Sequence, residues 1–167
     1  MSAPTLSRRQ PAAGGIAGGK AQVFDPNVVV MTLLGSKWST NTNRPKFSGR
    51  GGWFDGSFPI QICCRPISHG IMKSNIMVLG AKTHRRNPTI AIHMFARDPV
   101  ALANLRDEVD RIIINEGVNP YEGVNSILPS SMPSLPGDYE EQGETGTVFH
   151  DIYNVEVLYY KNITTQN

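Results

Sequence analysis

The chain has 167 residues, enough for one domain with a substantial core, and a formal net charge of +2. Only 40% of the residues are hydrophobic and 18% are charged, while 16 are Gly and 12 are Pro, which indicates a compact domain with long irregular segments. No apolar run approaches the ~20 residues that span a bilayer, and the first residues lack the apolar stretch of a secretory signal. We therefore expect a soluble intracellular product with no membrane contact.

The first 24 residues differ in composition from the rest of the chain. Residues 1–24 are rich in Ser, Ala, Pro, Gly and basic residues and show no apolar periodicity, which predicts a flexible basic arm. Within the arm, residues 14–20 have the spacing of a phosphate-binding loop, but Ala21 replaces the Ser or Thr that would hold magnesium. Residues 25–167 are predicted to form a single domain.

The domain is predicted to begin with a short helix. Asp25 is a suitable N-cap, Pro26 suits the first helical position, and apolar residues follow at helical spacing. The β-branched run 28–30 would suit a strand nearly as well. Gly35 is expected to end the helix.

A Gly-rich loop with cations beside aromatic rings is predicted over residues 39–57. Such a mixture suits a nucleic acid, because phosphates attract Lys and Arg and bases stack on rings. It also suits a loop that folds against a neighbouring subunit with the rings as buried anchors, and we favour this interpretation. The candidate subunit-interface residues of this loop are Arg44, Arg50, Trp53 and Phe54.

Alternating apolar residues predict strands over residues 58–66, 76–82 and 89–97. The second and third of these are expected to form a hairpin whose turn is the polar segment 84–88. A helix is predicted next, over residues 99–116. Its sequence signals are an N-cap, a proline at the first position, an apolar stripe and a terminal glycine, carried by Asp98, Pro99, Leu102, Leu105, Val109, Ile112, Ile113 and Gly117.

Residues 118–146 are predicted to form a second long loop, rich in Pro, Gly and Ser, before a last strand over residues 148–161. An acidic cluster in this loop is a further candidate for the subunit interface, through Asp138, Glu140 and Glu141. The order of the elements predicts an α+β fold, in which two helices pack on one face of a small, mostly antiparallel sheet.

Charge is distributed unevenly along the chain. Residues 1–86 hold twelve Lys or Arg against two acidic residues, a net charge of +10, and residues 87–167 hold four against twelve, a net charge of −8. Three interpretations remain open. In the first, the two halves are only differently decorated surfaces. In the second, the basic half of one copy meets the acidic half of the next in a head-to-tail contact, and in the third the basic half binds nucleic acid.

No catalytic or metal-binding constellation is evident in the sequence. The four histidines, His69, His84, His93 and His150, have neither helical metal-site spacing nor a neighbouring Cys-x-x-Cys. Cys63 and Cys64 are adjacent, so in a strand they point to opposite faces and a disulfide between them is not expected. We therefore expect a protein that is not an enzyme and that holds no cofactor and no metal.

The pattern resembles a family of viral structural proteins. The Asp98-Pro99 helix with Leu102, Leu105, Val109 and Ile112, set between an alternating strand and a terminal Tyr-rich strand, resembles tail-terminator and tail-completion proteins of tailed bacterial and archaeal viruses. It is also similar to small head–tail joining proteins. The resemblance covers about residues 25–161 and lies in the order of the elements.

This resemblance implies a structural virion subunit, made in the host cytoplasm and located in the tail or neck. Such subunits form a homo-oligomeric, hexameric ring that seals the tail tube, with the tail tube protein and the head–tail connector as partners and double-stranded DNA in the lumen. The candidate lumen residues are Lys82, Arg85 and Arg86, at the expected hairpin tip. The alternatives are a nucleic-acid-binding module that uses the basic half and another capsid accessory protein.

Overall fold

The computed structural model describes residues 25–40, 43–48, 54–68, 71–78, 81–121, 123–130, 141–143 and 146–163. In this part of the chain two helices and nine strands form the predicted α+β fold. The helices are α1 (Pro26–Lys37) and α2 (Pro99–Glu116). The strands are β1 (Lys46–Ser48), β2 (Ile60–Ser68), β3 (Ile71–Val78), β4 (Ala81–Arg86), β5 (Thr89–Ala96), β6 (Val118–Tyr121), β7 (Val124–Pro129), β8 (Glu141–Gly143) and β9 (Gly146–Ile163).

The sheet is mostly antiparallel and is organised around the long strand β9. Its main path runs β1-β2-β5-β9-β4-β3. Strand β7 also pairs with β9, and β6 pairs with the outer edge of β7. The short strand β8 pairs with the first residues of β9. Among the described pairings, only that of β1 with β2 is parallel.

Strands β4 and β5 are two parts of one extended segment that runs along β9. The register with β9 does not shift between them. Between the two strands, the carbonyl of Pro88 accepts a hydrogen bond from the backbone N–H of Val157 at 3.0 Å, so the ladder continues although proline offers no donor of its own. Asn87 and Pro88 therefore interrupt the strand without reversing the chain.

The predicted hairpin turn at 84–88 is wrong. The chain reverses between β3 and β4, where Val78 pairs with Ala81. Arg85 and Arg86 therefore lie within β4 and not at a hairpin tip.

Both helices pack on the same face of the sheet, which we call the helix face; the opposite face is the open face. A single apolar core joins the helices to the sheet, as predicted. Its fully buried members come from α1, α2 and four strands, and they are Val29, Val30, Leu33, Leu34, Ile62, Ile90, Ile92, Met94, Ala96, Leu105, Val109, Ile112, Ile113, Ile127, Val155 and Val157.

Helix α2 has the predicted bounds. The side chain of Asp98 accepts a hydrogen bond from the backbone N–H of Ala101 at 2.8 Å, which satisfies one of the free donors of the first turn. At the other end, the N–H of Gly117 donates to the carbonyl of Ile113 at 3.0 Å. Local sequence signals alone are sufficient to place this helix.

Helix α1 continues two residues past Gly35, where the sequence predicts its end. Two arginines from outside the helix bond its last carbonyls. Arg44 Nη2 donates to the carbonyl of Gly35 at 2.9 Å, and Arg111 Nη2 donates to that of Lys37 at 2.9 Å. These bonds satisfy acceptors that a helix end leaves free, so glycine does not have to stop the helix.

The pair Glu108 and Arg111 fixes the end of α1 to the middle of α2. Arg111 donates to both carboxylate oxygens of Glu108, at 2.8 and 2.7 Å, and Glu108 Oε1 accepts from the N–H of Ser39 at 2.7 Å. The hydrogen bonds from Arg111 hold the pKa of the Glu108 carboxyl below its ordinary value. The exposed ion pair Lys37–Glu116 adds a weaker link at 2.9 Å.

The prediction of one long loop over residues 118–146 is also wrong. Strands β6 and β7 form an antiparallel hairpin that adds to the sheet beyond β9. The prolines that suggested a loop stand where strands tolerate them, because Pro120 lies in the outer strand β6 and Pro129 is the last residue of β7. Val124 and Ile127 of β7 are buried against α2.

Candidate assembly surface

Three strand segments lie beyond the part of the sheet that the helices cover. The helices pack mainly on β2, β5, β6, β7 and β9. Strand β3 pairs with β4, and β4 pairs with Tyr159–Ile163 at the end of β9. We call β3, β4 and residues 159–163 the ribbon.

Both long edges of the ribbon are unpaired among the described residues. Strand β3 has β4 as its only described partner. On the other side, β7 follows β9 no further than Tyr159, so residues 160–163 pair with β4 alone. Each edge therefore presents backbone N–H and C=O groups that another strand could bind.

The edge of β3 continues into β2. Strand β1 pairs with β2 only over Gln61–Cys63, so the rest of β2 has its outer edge unpaired within the described part of the chain. Together with β3 this makes an edge much longer than β1 itself. Natural sheets protect such edges with charged residues, proline or bulges, or by covering them. A partner strand is one such cover.

The two oppositely charged halves of the sequence do not form separate layers. The sheet pairs strands from the two halves with each other, since β2 of the basic half pairs with β5 and β4 of the basic half pairs with β9. Charge of one sign collects in the ribbon instead. Residues 71–86 and 157–163 contain no Asp or Glu, and their cations are Lys73, Lys82, Arg85, Arg86 and Lys161.

Two of the predicted interface residues make contacts within their own chain. Arg44 bonds Gly35, as described above, and its guanidinium lies 5.9 Å from the centroid of the Phe47 ring. Phe54 is half-buried and packs on Phe95, with ring centroids 5.3 Å apart. Their place at a subunit interface stays a prediction.

For the other predicted interface residues, the structure gives only a position in a strand or no description. Glu141 begins β8 and lies opposite Val148 of β9 in the register. The remaining members of the predicted interface lie outside the described residues, namely Arg50, Trp53, Asp138 and Glu140. Residues 14–20, which have the spacing of a phosphate-binding loop, also lie outside the described residues.

The open face carries a histidine pair that sequence reasoning missed. His93 Nδ1 and His150 Nε2 are 3.0 Å apart, and the His150 ring stacks on Phe95 with centroids separated by 4.4 Å. Cys63 lies opposite His93 in the β2–β5 register. The two histidines are 57 residues apart in sequence, so only the pairing of β5 with β9 brings them together. Once that register is known, the alternation of both strands predicts the contact.

Burial keeps His93 and Cys63 of this cluster neutral at ordinary pH. Desolvation, followed by the neighbouring His150 and Arg65, lowers the pKa of His93 to about 4. Desolvation also raises the pKa of the Cys63 thiol to about 11. A protonated thiol is a poor nucleophile and a poor metal ligand, so the cluster serves packing better than chemistry.

The histidine pair predicts a loss of stability in mild acid. The pKa of His93 is lower in the folded chain than the ordinary 6.5, so the folded state resists protonation and stability falls as pH drops from 6.5 towards 4. We expect His93 to account for about 2 kcal/mol of this loss after allowance for solvent screening. Urea unfolding at pH 7.5 and 4.5 measures it. His93→Gln should lose less between the two pH values than the wild-type chain, and an equal loss in both would contradict the assignment.

The polar side chains of the helix face are also used in packing. Arg106 Nη1 donates to Asp151 at 2.7 Å, and the hydroxyl of Tyr153 donates to Asp110 at 2.5 Å. Burial and the bond to Asp110 raise the pKa of Tyr153 above its ordinary value. His150 and Asp151 lie on opposite faces of β9, as their adjacency predicts. These bonds attach α2 to β9.

A cleft of about 460 Å³ runs along α2, between Asn104 and Arg111. Its charged wall residues Glu108 and Arg111 are the pair that joins the two helices. Asp107 and two asparagines supply the other polar groups, beside an apolar floor that includes Leu105. The Glu108–Arg111 pair in the cleft is thus already used to hold the two helices together.

In the part of the chain that the structure describes, no group of three or more His, Cys, Asp or Glu side chains is placed to hold a metal ion. Neither α1 nor α2 has the length and apolar character that a membrane-crossing helix requires. No protein-family model matches the chain, and no curated protein matches it.

Proposed function

We propose that this chain is a structural subunit that assembles head-to-tail with copies of itself. The observation that carries the proposal is the ribbon, whose two outer edges both lack a described partner strand. Because these edges lie on opposite sides of the ribbon, the edge of β3 in one copy can bind the edge of β9 in the next. A contact between two different surfaces repeats from copy to copy, and it closes into a ring when the rotation between neighbouring copies divides a full turn.

The direction of the strands sets the geometry of this contact. β4 runs antiparallel to both β3 and β9, so β3 and the end of β9 run in the same direction. In a closed ring every ribbon points the same way along the axis. The contact between β9 of one copy and β3 of the next is therefore a parallel strand pair, which makes the ribbons of the ring one continuous sheet.

Energetic reasoning supports pairing of the edges. Neither α1 nor α2 covers the ribbon, and three strands without such cover have little apolar burial to stabilise them. Its unpaired edges also favour uncontrolled association unless they are covered. Specific pairing with neighbouring copies satisfies the edge groups and adds packing on the faces of the ribbon, so a regular oligomer is the favourable outcome.

We further propose that the ring belongs to a virion tail or neck, in a tail-terminator or head–tail joining role. The support is the order of the elements, in which α2 follows the alternating strand β5 and precedes the Tyr-rich strand β9. The viral proteins that the sequence resembles have this order of elements. In this role the tail tube protein and the connector are the partners of the ring. The chain acts by assembly and catalyses no reaction.

Engineered disulfides test the head-to-tail contact. We expect Ser74→Cys in β3, combined with Tyr160→Cys, Asn162→Cys or Ile163→Cys in β9, to form intermolecular disulfides on mild oxidation in at least one combination. Because each copy then links to two neighbours, non-reducing gels should show a ladder of dimers, trimers and larger species. The native thiols are a clean background, since Cys63 and Cys64 are both buried and burial raises the pKa of each thiol.

The single-cysteine variants are the matched controls for this experiment. Each of them alone carries only half of the proposed contact and should remain uncrosslinked. Efficient dimers of Ser74→Cys alone would mean that two β3 edges pair about a two-fold axis, which contradicts head-to-tail assembly. The absence of crosslinks in all three double variants would contradict edge pairing itself.

A further inference from the structure

We propose that one face of the ribbon binds the phosphate backbone of a nucleic acid. This inference goes beyond assembly and does not depend on ring closure. It begins from the composition of residues 71–86 and 159–163, which hold the ribbon and contain five Lys or Arg and no acidic residue. A surface of this kind attracts polyanions over several ångströms.

The backbone register concentrates these charges on one face. Positions in a strand alternate between faces, so Lys82, His84 and Arg86 share one face of β4. The pairing of β4 with β9 places Lys161 opposite His84, which extends the same face onto the neighbouring strand. We call these four residues the basic row. Arg85 lies on the other face of β4.

The three cations of the basic row lie close enough to repel one another. Lys82 and Arg86 are four positions apart in β4, about 13 Å, and Lys161 lies diagonally between them on the neighbouring strand, which is about 4.8 Å away. Like charges on one face of a sheet repel, and an anion over the row relieves this repulsion. Asp25 is near the inner end of the row, where it and Arg86 both act on Tyr159, but the ribbon itself supplies no carboxylate towards Lys82.

A nucleic acid fits this row better than a single small anion does. Its phosphates repeat along an extended strand, so several cations of the row can be neutralised together. Lys and Arg are the residues that contact phosphate oxygens, and such contacts require no particular base sequence. We therefore expect binding that is independent of sequence and strongly dependent on salt.

The test compares the wild-type chain with a row variant, Lys82→Gln/Arg86→Gln/Lys161→Gln. The probe is a fluorescein-labelled 30-base-pair duplex of mixed sequence, and anisotropy is measured at 50 and 200 mM salt. If the three cations release one counterion each, wild-type affinity falls about 40-fold between the two salt concentrations. In the row variant, affinity at 50 mM should fall at least tenfold and most of the salt dependence should disappear.

Two matched variants separate the row from total charge. Arg85→Gln removes a neighbouring cation from the other face, and Arg8→Gln/Arg9→Gln/Lys20→Gln removes the same number of charges as the row variant from residues 1–24. Both should bind the duplex close to wild type. Equal weakening by the row variant and the triple variant of residues 1–24 would overturn the proposal, as would wild-type binding by the row variant or no binding at 50 mM.

Two further measurements complete the design. Preferential binding to vesicles of anionic lipid, with no competition from the duplex, would overturn nucleic acid as the partner. The mass of each variant in solution is measured alongside, because a row variant that assembles like the wild type shows that any loss of binding is not a loss of assembly. Binding by a chain that remains monomeric would support this inference while contradicting the ring.

Discussion

Replacement of Gly117 by alanine should destabilise the fold by about 3 kcal/mol or more. Gly117 lies where the end of α2 meets β7: its N–H donates to the carbonyl of Ile113, and its own carbonyl accepts from the N–H of Ile127 at 2.6 Å. A Cβ atom at this position would overlap the carbonyl oxygens of both Ile113 and Ile127. Both are backbone atoms, so relief of the overlap requires α2 and β7 to move apart.

Gly35→Ala is the matched control for this substitution. Gly35 lies inside α1, and the atoms nearest to an added Cβ are side-chain atoms of Arg44 and Phe47, at 3.9 and 4.0 Å. Alanine therefore fits without strain, and we expect a gain of about 0.5–1 kcal/mol from its better helix propensity. Urea unfolding followed by circular dichroism measures both variants. Similar stability of the two would contradict the close approach of α2 and β7.

The second large effect is expected for Ile112→Ala, at about 3 kcal/mol. Ile112 is fully buried in the core between α2 and the sheet. Alanine at this position removes apolar contacts and leaves a cavity that close-packed neighbours fill only in part. The loss should appear as a lower midpoint of urea unfolding with an unchanged slope.

Ile114→Ala provides the control on the same helix with the same chemical change. The side chain of Ile114 is 59% exposed, so its removal creates no cavity. Alanine is also the better helix former, and we expect stability within about 0.5 kcal/mol of the wild type. If Ile114→Ala lost as much stability as Ile112→Ala, the orientation of α2 on the sheet would be wrong.

Local sequence signals predict the helices well because their determinants lie close together in the chain. The cap, the proline and the apolar stripe of α2 all fall between Asp98 and Gly117, and the observed bounds agree with them. The end of α1 depends on Arg44 and Arg111, which approach from elsewhere in the chain. No pattern within residues 26–37 could reveal those two contacts.

The strands are predicted less completely, because their environment depends on pairing partners. Gln61 has the polar position of an alternating strand, yet it is fully buried and its Oε1 accepts from the N–H of Asp55 at 2.7 Å. The proline content of residues 118–130 hid the β6–β7 hairpin for a related reason. Proline excludes a residue from the middle of a sheet, but not from an outer strand or a strand end.

The candidate surface is likewise predicted only in part from the sequence. Sequence composition identifies Lys82, Arg85 and Arg86 as a basic group. Their division between two faces follows from their alternation within β4, whereas the sequence predicts a strand that ends at Lys82 and a turn over 84–88. The contribution of Lys161 follows from the pairing of β4 with β9. The unpaired edges of the ribbon likewise depend on where β7 ends along β9. These features are long-range, so one sequence does not reveal them.

The mass of the purified chain in solution tests the central claim most directly. Light scattering coupled to size exclusion, at low and high salt and over a tenfold range of concentration, measures it. The account predicts a single closed oligomer of several copies, hexameric if the tail or neck role holds, that persists at high salt because backbone strand pairing is not screened by ions. A monomer of 18.3 kDa at every salt and concentration would contradict assembly through the ribbon edges.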